Sequence, residues 1–200
     1  MVGFLLNKQK CVLFHMRSTA VVDAIIERHA GFLGDPEVTR FLRVKDASVE
    51  YQRQKILDVV SSPFQCAMAV LLGTEECDLR SIASRYIGMA TLRDIDAYNF
   101  SAHSGSMIGD KSLWRMGFGK EAKLLQLYYA FMGLRLRWVF SRTIRSNIAS
   151  IRMLESAGYV QQGLRPDCRR VGNDFYDELL FGANRERWRA VWNERALTRV

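Results

Sequence analysis

Trp114-Arg-Met-Gly-Phe-Gly-Lys-Glu-Ala122 is the stretch on which the fold of this chain turns. Gly117 and Gly119 stand one residue apart, directly before a long apolar pattern. Glycines so spaced let the backbone turn tightly and approach a ligand with no Cβ in the way. A helix starting there offers the free N–H groups of its first turn, and its dipole adds partial positive charge. The segment reads either as a phosphate cradle or as a plain strand-to-helix turn.

Downstream, Ala122, Leu124, Leu125, Leu127, Tyr128, Tyr129, Ala130, Phe131 and Met132 surround a helix from Lys120 on nearly every side. Such a helix lies inside a core rather than on it. Trp138 to Thr143 follows as a strand. Asn147 to Ala157 is a helix ended by Gly158 at the left-handed cap position. Tyr159 to Gln162 and Phe175 to Phe181 are the last strands, and Asn184 caps a terminal helix with Trp188 and Trp192 as packing residues. Upstream, Cys11 to Arg17 is a short strand, and Ser18 or Thr19 caps a helix through Val21, Val22, Ile25, Ile26 and Ala30. Pro36 to Leu42 is a short helix capped by Asp35. Ser48 begins another, ending before Pro63. Cys66 to Leu72, Tyr86 to Leu92 and Ser101 to Ile108 are strands, and Gly73 to Ser84 reads as a polar loop. The order describes a mixed α/β chain around one sheet, a single domain over residues 1–200 without internal repeats.

Two hundred residues with 48% hydrophobic and 25% charged side chains exclude disordered and fibrous classes. The longest apolar run, Cys66 to Leu72, is far below the ~20 residues of a membrane span. Met1 to Leu6 is too short for a signal-peptide core, so a cytoplasmic protein is expected. The four cysteines share no CxxC spacing and read as buried reduced thiols, and no metal site is expected. The net charge of +8 is uneven. Between Lys111 and Pro166 ten basic residues face only Glu121 and Glu155, whereas the remainder is neutral. An anionic partner bound in that segment, or a basic solvated surface, accounts for this.

A P-loop requires GxxxxGK[ST], but Gly119-Lys120 is followed by Glu121, with no hydroxyl for magnesium. A Rossmann loop requires an acidic residue about 20 positions on; no Asp lies between 111 and 166, and the loop comes after several strands. A third class of phosphate loop, the coenzyme A loop of acetyltransferases, fits the features that remain. Met107 to Ala122 resembles the coenzyme-binding segment of the GNAT acetyltransferase superfamily, most closely the branch of ribosomal-protein-alanine N-acetyltransferases. The resemblance continues through Asn147-Ile-Ala-Ser150 and Leu154-Glu-Ser-Ala-Gly158-Tyr159, then Gly163 with Arg165 and Gly172 to Asp177. Asp35 to Leu42 also matches, and residues 10–192 are covered.

The resemblance implies a GNAT-like fold: one mixed, largely antiparallel sheet splayed between strands 4 and 5, flanked by helices, with acetyl-CoA in the gap. Backbone amides from Met116, Gly117, Phe118, Gly119 and Lys120 would hold the pyrophosphate. Trp114 opens that pattern, and strand atoms near Met107 and Ile108 would pair with the pantetheine arm. Asn147 would bond the coenzyme arm or cap its helix. Where many relatives carry a tyrosine as proton donor to the leaving thiolate, this chain has Leu154, which makes Ser150 the candidate acid. His103 stands where many members carry glutamate; a neutral imidazole there is a general base or a filler of the sheet face. Asp174 and Asp177 would hold a cationic amine or satisfy loop amides, and Arg165, with Arg169 and Arg170, would meet an anionic acceptor or solvent.

The expected function is acetyl-CoA-dependent N-acetylation of a primary amine, a protein N-terminus or a small molecule, by direct transfer in a ternary complex. A nucleotide-linked amino sugar is an alternative acceptor, and an antibiotic or a polyamine stays open as another. From another class, the chain would be a non-catalytic CoA-binding or nucleic-acid-binding module. Against nucleic acid, the basic residues are interspersed through core elements without an aromatic platform. No nucleic-acid or membrane partner is therefore expected, and the sequence is compatible with a monomer or a homo-oligomer.

Overall fold

A computed structural model describes residues 10–73 and 78–197. Seven strands form one mixed sheet: β1 (Cys11–His15), β2 (Cys66–Leu72), β3 (Tyr86–Asp96), β4 (Ser101–Ile108), β5 (Trp138–Ile144), β6 (Val160–Val171) and β7 (Asp174–Asn184). Their spatial order is β1-β2-β3-β4-β5-β7-β6, and every neighbouring pair is antiparallel except β4–β5. That parallel pair is short. It joins Ser101 to Trp138, Ala102 to Val139 and His103 to Phe140, after which the strands part while β4 continues to Ile108 and β5 to Ile144. The expected splay between the fourth and fifth strands is this fork.

Two apolar layers hold the sheet. On one face Met68, Val70, Ala90, Leu92, Ala102, Val139 and Phe181 pack beneath helices α5 (Phe118–Tyr128) and α7 (Arg185–Leu197). On the other, Ala67, Ala69 and Leu71 meet α1 (Thr19–Gly34), α3 (Val49–Ser61) and α4 (Leu79–Arg85). β2 is thus apolar throughout because both of its faces are covered. Farther along the second face, β4, β5 and β6 carry the half-buried His103 and Phe140 and the exposed Arg142 and Arg165.

α5 is buried from Phe118 and from Glu121 through Leu127, as its all-round apolar pattern predicts, and then widens into a π-helical turn over Tyr129–Gly133. The all-round reading passed over Glu121, Lys123 and Gln126, which are equally buried. The remaining helices are α2 (Pro36–Thr39) and α6 (Ile148–Ser156). Asp35 caps α2 through Glu37 N, but that helix stops at Thr39 rather than Leu42. Ser18 precedes α1 without a side-chain cap.

Three readings need correction. The polar loop over 73–84 contains α4, started by Asp78, whose carboxylate accepts from Ser81 N, and anchored by the fully buried Ile82. One apolar contact in a polar sequence leaves too little periodicity to see. The strands ending at Leu92 and Gln162 run on to Asp96 and Val171, because hairpin pairing sustains them where apolar alternation fades. Cysteine burial is also not uniform: Cys11 is buried, Cys66 half-buried and Cys168 exposed, while Cys77 lies outside the described residues. No helix among the described residues is long and apolar enough to cross a membrane.

Candidate active site

The glycine loop has the geometry its sequence demands. Gly117 takes φ +90°, the left-handed region that glycine enters without strain, and serves as N-cap of α5. Glu121 N bonds back to Gly117 O, so the amides of Phe118 and Gly119 lead into the helix without an intrahelical acceptor. A Cβ built on Gly119 would touch only Met153 of α6 and Ile108 of β4, at 3.7 and 3.9 Å. The start of α5, the end of β4 and one face of α6 therefore converge on a backbone cradle. The cradle is tied down by side chains. Glu121 Oε1 accepts from Lys10 N at 2.6 Å and Cys11 N at 2.9 Å, Lys10 Nζ donates to Met116 O at 2.8 Å, and Trp114 Nε1 donates to Ile108 O at 2.8 Å. Trp114 thus pins the loop to β4.

Beyond the fork, β4 has an edge without a strand partner. Gly109 N donates to Ile87 O, and Met107 O is turned against Gly88, where a side chain would collide with it. By strand alternation the backbone groups of Ser104, Ser106 and Ile108 face the gap. The Ser104 carbonyl accepts from Ser141 Oγ at 3.1 Å, that of Ile108 from Trp114, and Ser106 lies between them. Met107, near which the pantetheine arm is expected to pair, turns its own carbonyl toward β3. Ser106 is the residue that alternation exposes, and only the register of β4 could identify it.

On the α5 side the fork closes over a buried polar network that the sequence reading missed. Ser104 Oγ lies 2.7 Å from Tyr159 Oη, 3.2 Å from Phe140 O and 3.4 Å from Lys123 Nζ. Lys123 Nζ also donates to Gln126 Oε1 at 2.9 Å, and Gln126 Nε2 donates to Thr91 O and Gly105 O. Lys123 has no carboxylate among these partners, and burial lowers its pKa to about 7. Burial likewise raises the Tyr159 phenol.

On the open side His103 stands at the last position of β4 that pairs with β5, its ring 5.7 Å from Phe140. Its Nδ1 is buried without a hydrogen-bond partner. Desolvation, then the charge of Arg142, lowers its pKa, with Arg93 and Arg165 adding to the effect against Asp94. The imidazole is therefore neutral at neutral pH and able to accept a proton. Asn147 Oδ1 caps α6 through Ser150 N at 3.1 Å, and both half-buried side chains lie on the helix face that Met153 extends toward Gly119. Leu154 is buried and supplies no acid.

The remaining candidates lie on the β6–β7 hairpin. Asp177 is engaged by Arg145 Nη1 at 3.1 Å and Asp167 N at 3.3 Å. Asp174 is exposed at the tip of the β6–β7 hairpin, away from the cradle. Arg165 and Arg169 approach Glu178, a buried carboxylate with no sequence signal of its own. The ten cations of the basic segment are thus not one coenzyme surface. Lys111 pairs with Asp35 and Glu37, Lys123 is internal, and Arg142, Arg145 and Arg165 approach carboxylates of β7.

Comparison with known proteins fits this geometry. The acetyltransferase (GNAT) domain family matches residues 17–160. The uncharacterized N-acetyltransferase p20 of Bacillus licheniformis is 24% identical over 153 residues, 75% of this chain and 82% of that protein. Among crystal structures, the spermidine N-acetyltransferase of Vibrio cholerae in complex with CoA and spermine superposes with a TM-score of 0.74 at 13% identity, covering 90% of this chain and 98% of that one. A GNAT-family acetyltransferase from Bacillus anthracis superposes with a TM-score of 0.69 at 16% identity, covering 92% and 99%.

Proposed function

This chain belongs to the GNAT acetyltransferase family and is an acetyl-CoA-dependent N-acetyltransferase; from that premise we propose direct acetyl transfer to a primary amine, with both substrates bound together and His103 as the base. The observation that carries the proposal is the fork itself, which opens one residue beyond His103 and leads along the free edge of β4 to the α5 cradle. Residues 1–200 would act as one catalytic domain. The resemblance to the ribosomal-protein-alanine branch supports a protein N-terminus as one acceptor class.

The fit to the coenzyme rests on the chain's own groups. The amides of Phe118 and Gly119 suit a pyrophosphate by hydrogen bonding and by the helix dipole. The edge of β4 at Ser106 suits an extended amide-bearing arm, and Asn147, with its Oδ1 committed to the cap, retains its Nδ2 as a donor. Acetyl-CoA supplies an activated acyl thioester: a C–N bond forms, the C–S bond breaks, and one proton leaves the amine while one reaches the thiolate. His103 takes the amine's proton at a nitrogen kept neutral by burial and by neighbouring arginines. Ser150 is the hydroxyl on the α6 face toward the cradle and the candidate donor to the thiolate. Orientation of the amine contributes on its own, so loss of Ser150 should slow the reaction without abolishing it.

Titrating acetyl-CoA into the protein by calorimetry, alongside thiol release with a panel of primary amines, tests this reading. Saturable binding is expected, lost on Gly119→Trp, which would fill the cradle. Absence of binding to the wild-type protein would refute it.

A further inference from the structure

The arginine cluster on the open side of the fork bears on the acceptor. Arg142 of β5 and Arg165 of β6 each bring Nη1 to 3.9 Å from Glu178 Oε2, and Arg169 brings Nε to 3.9 Å from Oε1. None of these contacts is short enough for a hydrogen bond. The Glu178 side chain is only 6% exposed, while the three arginine side chains are 43%, 57% and 36% exposed. One carboxylate lies at the floor and three guanidinia stand around its rim, so three positive charges against one leave the cluster at +2. The adjacent carboxylate, Asp177, is already committed to Arg145 and Asp167 N. Each guanidinium carries five N–H donors, and a single acceptor group cannot engage three such forks.

The cluster also lies close to the proposed base. Arg142 is two residues along β5 from Phe140, the partner of His103, a rise of about 7 Å. The charges of Arg142 and Arg165 act directly on the imidazole. A polycation entering here would meet a fixed positive field, whereas an oxyanion would complete the unfilled guanidinium donors and seat its amine toward His103.

We propose that the acceptor is a small amine that also carries an oxyanion, phosphate or carboxylate, bound by Arg142, Arg165 and Arg169 above Glu178. The proposal rests on the N-acetyltransferase reading and names the substrate class of that same site. Inorganic phosphate titrated calorimetrically into protein saturated with acetyl-CoA tests it directly, because the coenzyme's own phosphate contacts are then filled. One saturable site is expected, weakened at least tenfold by Arg165→Gln, the most exposed of the three, and by Arg142→Gln. No phosphate binding, or equal affinity in wild type and both variants, overturns the proposal.

A kinetic arm separates the two anion chemistries: phosphoethanolamine against ethanolamine, and γ-aminobutyrate against butylamine. At least tenfold higher kcat/KM for the anionic member of either pair supports the assignment and says which oxyanion is read. Equal turnover within both pairs, or spermidine preferred over both anionic amines, overturns it. Failure of acetyl-CoA to bind would fall on the enzyme reading alone, since phosphate titrated into the free protein and its Arg142→Gln and Arg165→Gln variants would still decide whether the arginine rim binds an anion.

Discussion

The two sides of the β4–β5 fork carry positive charge in opposite ways. Beneath α5 a single ammonium, Lys123, is sealed among the neutral oxygens of Ser104 and Gln126. On the open face three guanidinia stand at a solvent-exposed rim over one buried carboxylate. A buried lysine relieves its desolvation by giving up a proton, whereas an arginine keeps its charge at any physiological pH. The inner side can therefore become neutral and act as a polar strut, while the outer side presents a permanent positive field. That difference suits the proposed cleft, in which backbone would grip the donor end and charge would read the acceptor end.

The largest effect that would sharpen this contrast is at Lys123. With its pKa lowered from 10.5 to about 7 in the folded protein, the unfolded chain holds a proton that the folded chain lacks between those values. Stability therefore rises with pH across that window, and the full charging penalty applies below pH 7. Lys123→Met should flatten the rise, by at most about 5 kcal/mol across the window, read as the pH dependence of urea unfolding. The slope is the informative quantity, because the variant also strips Ser104 and Gln126 of a partner. An unchanged slope would show that Lys123 stays charged and would break the contrast.

Next in size is Glu121→Ala, which leaves the buried Cys11 N and the part-buried Lys10 N without their acceptor. A loss of about 3 kcal/mol is expected, with weakened acetyl-CoA binding because Lys10 also holds Met116 O. Unfolding and calorimetric titration report the two effects separately. Cradle affinity unchanged in this variant would show that the loop holds its shape without the tie to β1.

On the open face, His103→Gln should lower kcat/KM by about 100-fold. In the wild type kcat/KM should fall as pH drops through an apparent pKa below 6.5, because protonation removes the base. That acidic limb should vanish in the variant. The smallest effect concerns the coupling between rim and base. Arg142→Gln removes the largest charge contribution to the imidazole, so the acidic limb should move up toward pH 6.5. A pH–rate profile with an unmoved limb would separate the arginine rim from His103.

Local sequence carried much of this architecture. The Gly117–Gly119 pair, the buried pattern of α5 and the Asn147 cap are short-range features, and backbone conformation and helix periodicity impose them wherever they occur. The cradle was legible for that reason. The network of Ser104, Lys123, Gln126 and Tyr159 was not, since its members come from three separate parts of the chain and nothing local distinguishes a buried lysine from a solvated one. Glu178 escaped notice for the same reason: its burial depends on β7 lying between β5 and β6. The basic segment illustrates both outcomes. Its charge was countable in the sequence, but its partners, Asp35, Glu37, Asp177 and Glu178, are supplied by distant residues.

The sequence by itself determined where the chain turns, which helix is buried and where two glycines precede its first turn, because φ preferences, capping and apolar period act over a few residues. Only the tertiary structure decided that β4 and β5 part after His103, that Ser106 rather than Met107 faces the gap, and that three arginines share one carboxylate. Strand register and the crossing of distant segments set those outcomes, and both follow from packing the whole sheet between its helices rather than from any stretch read alone.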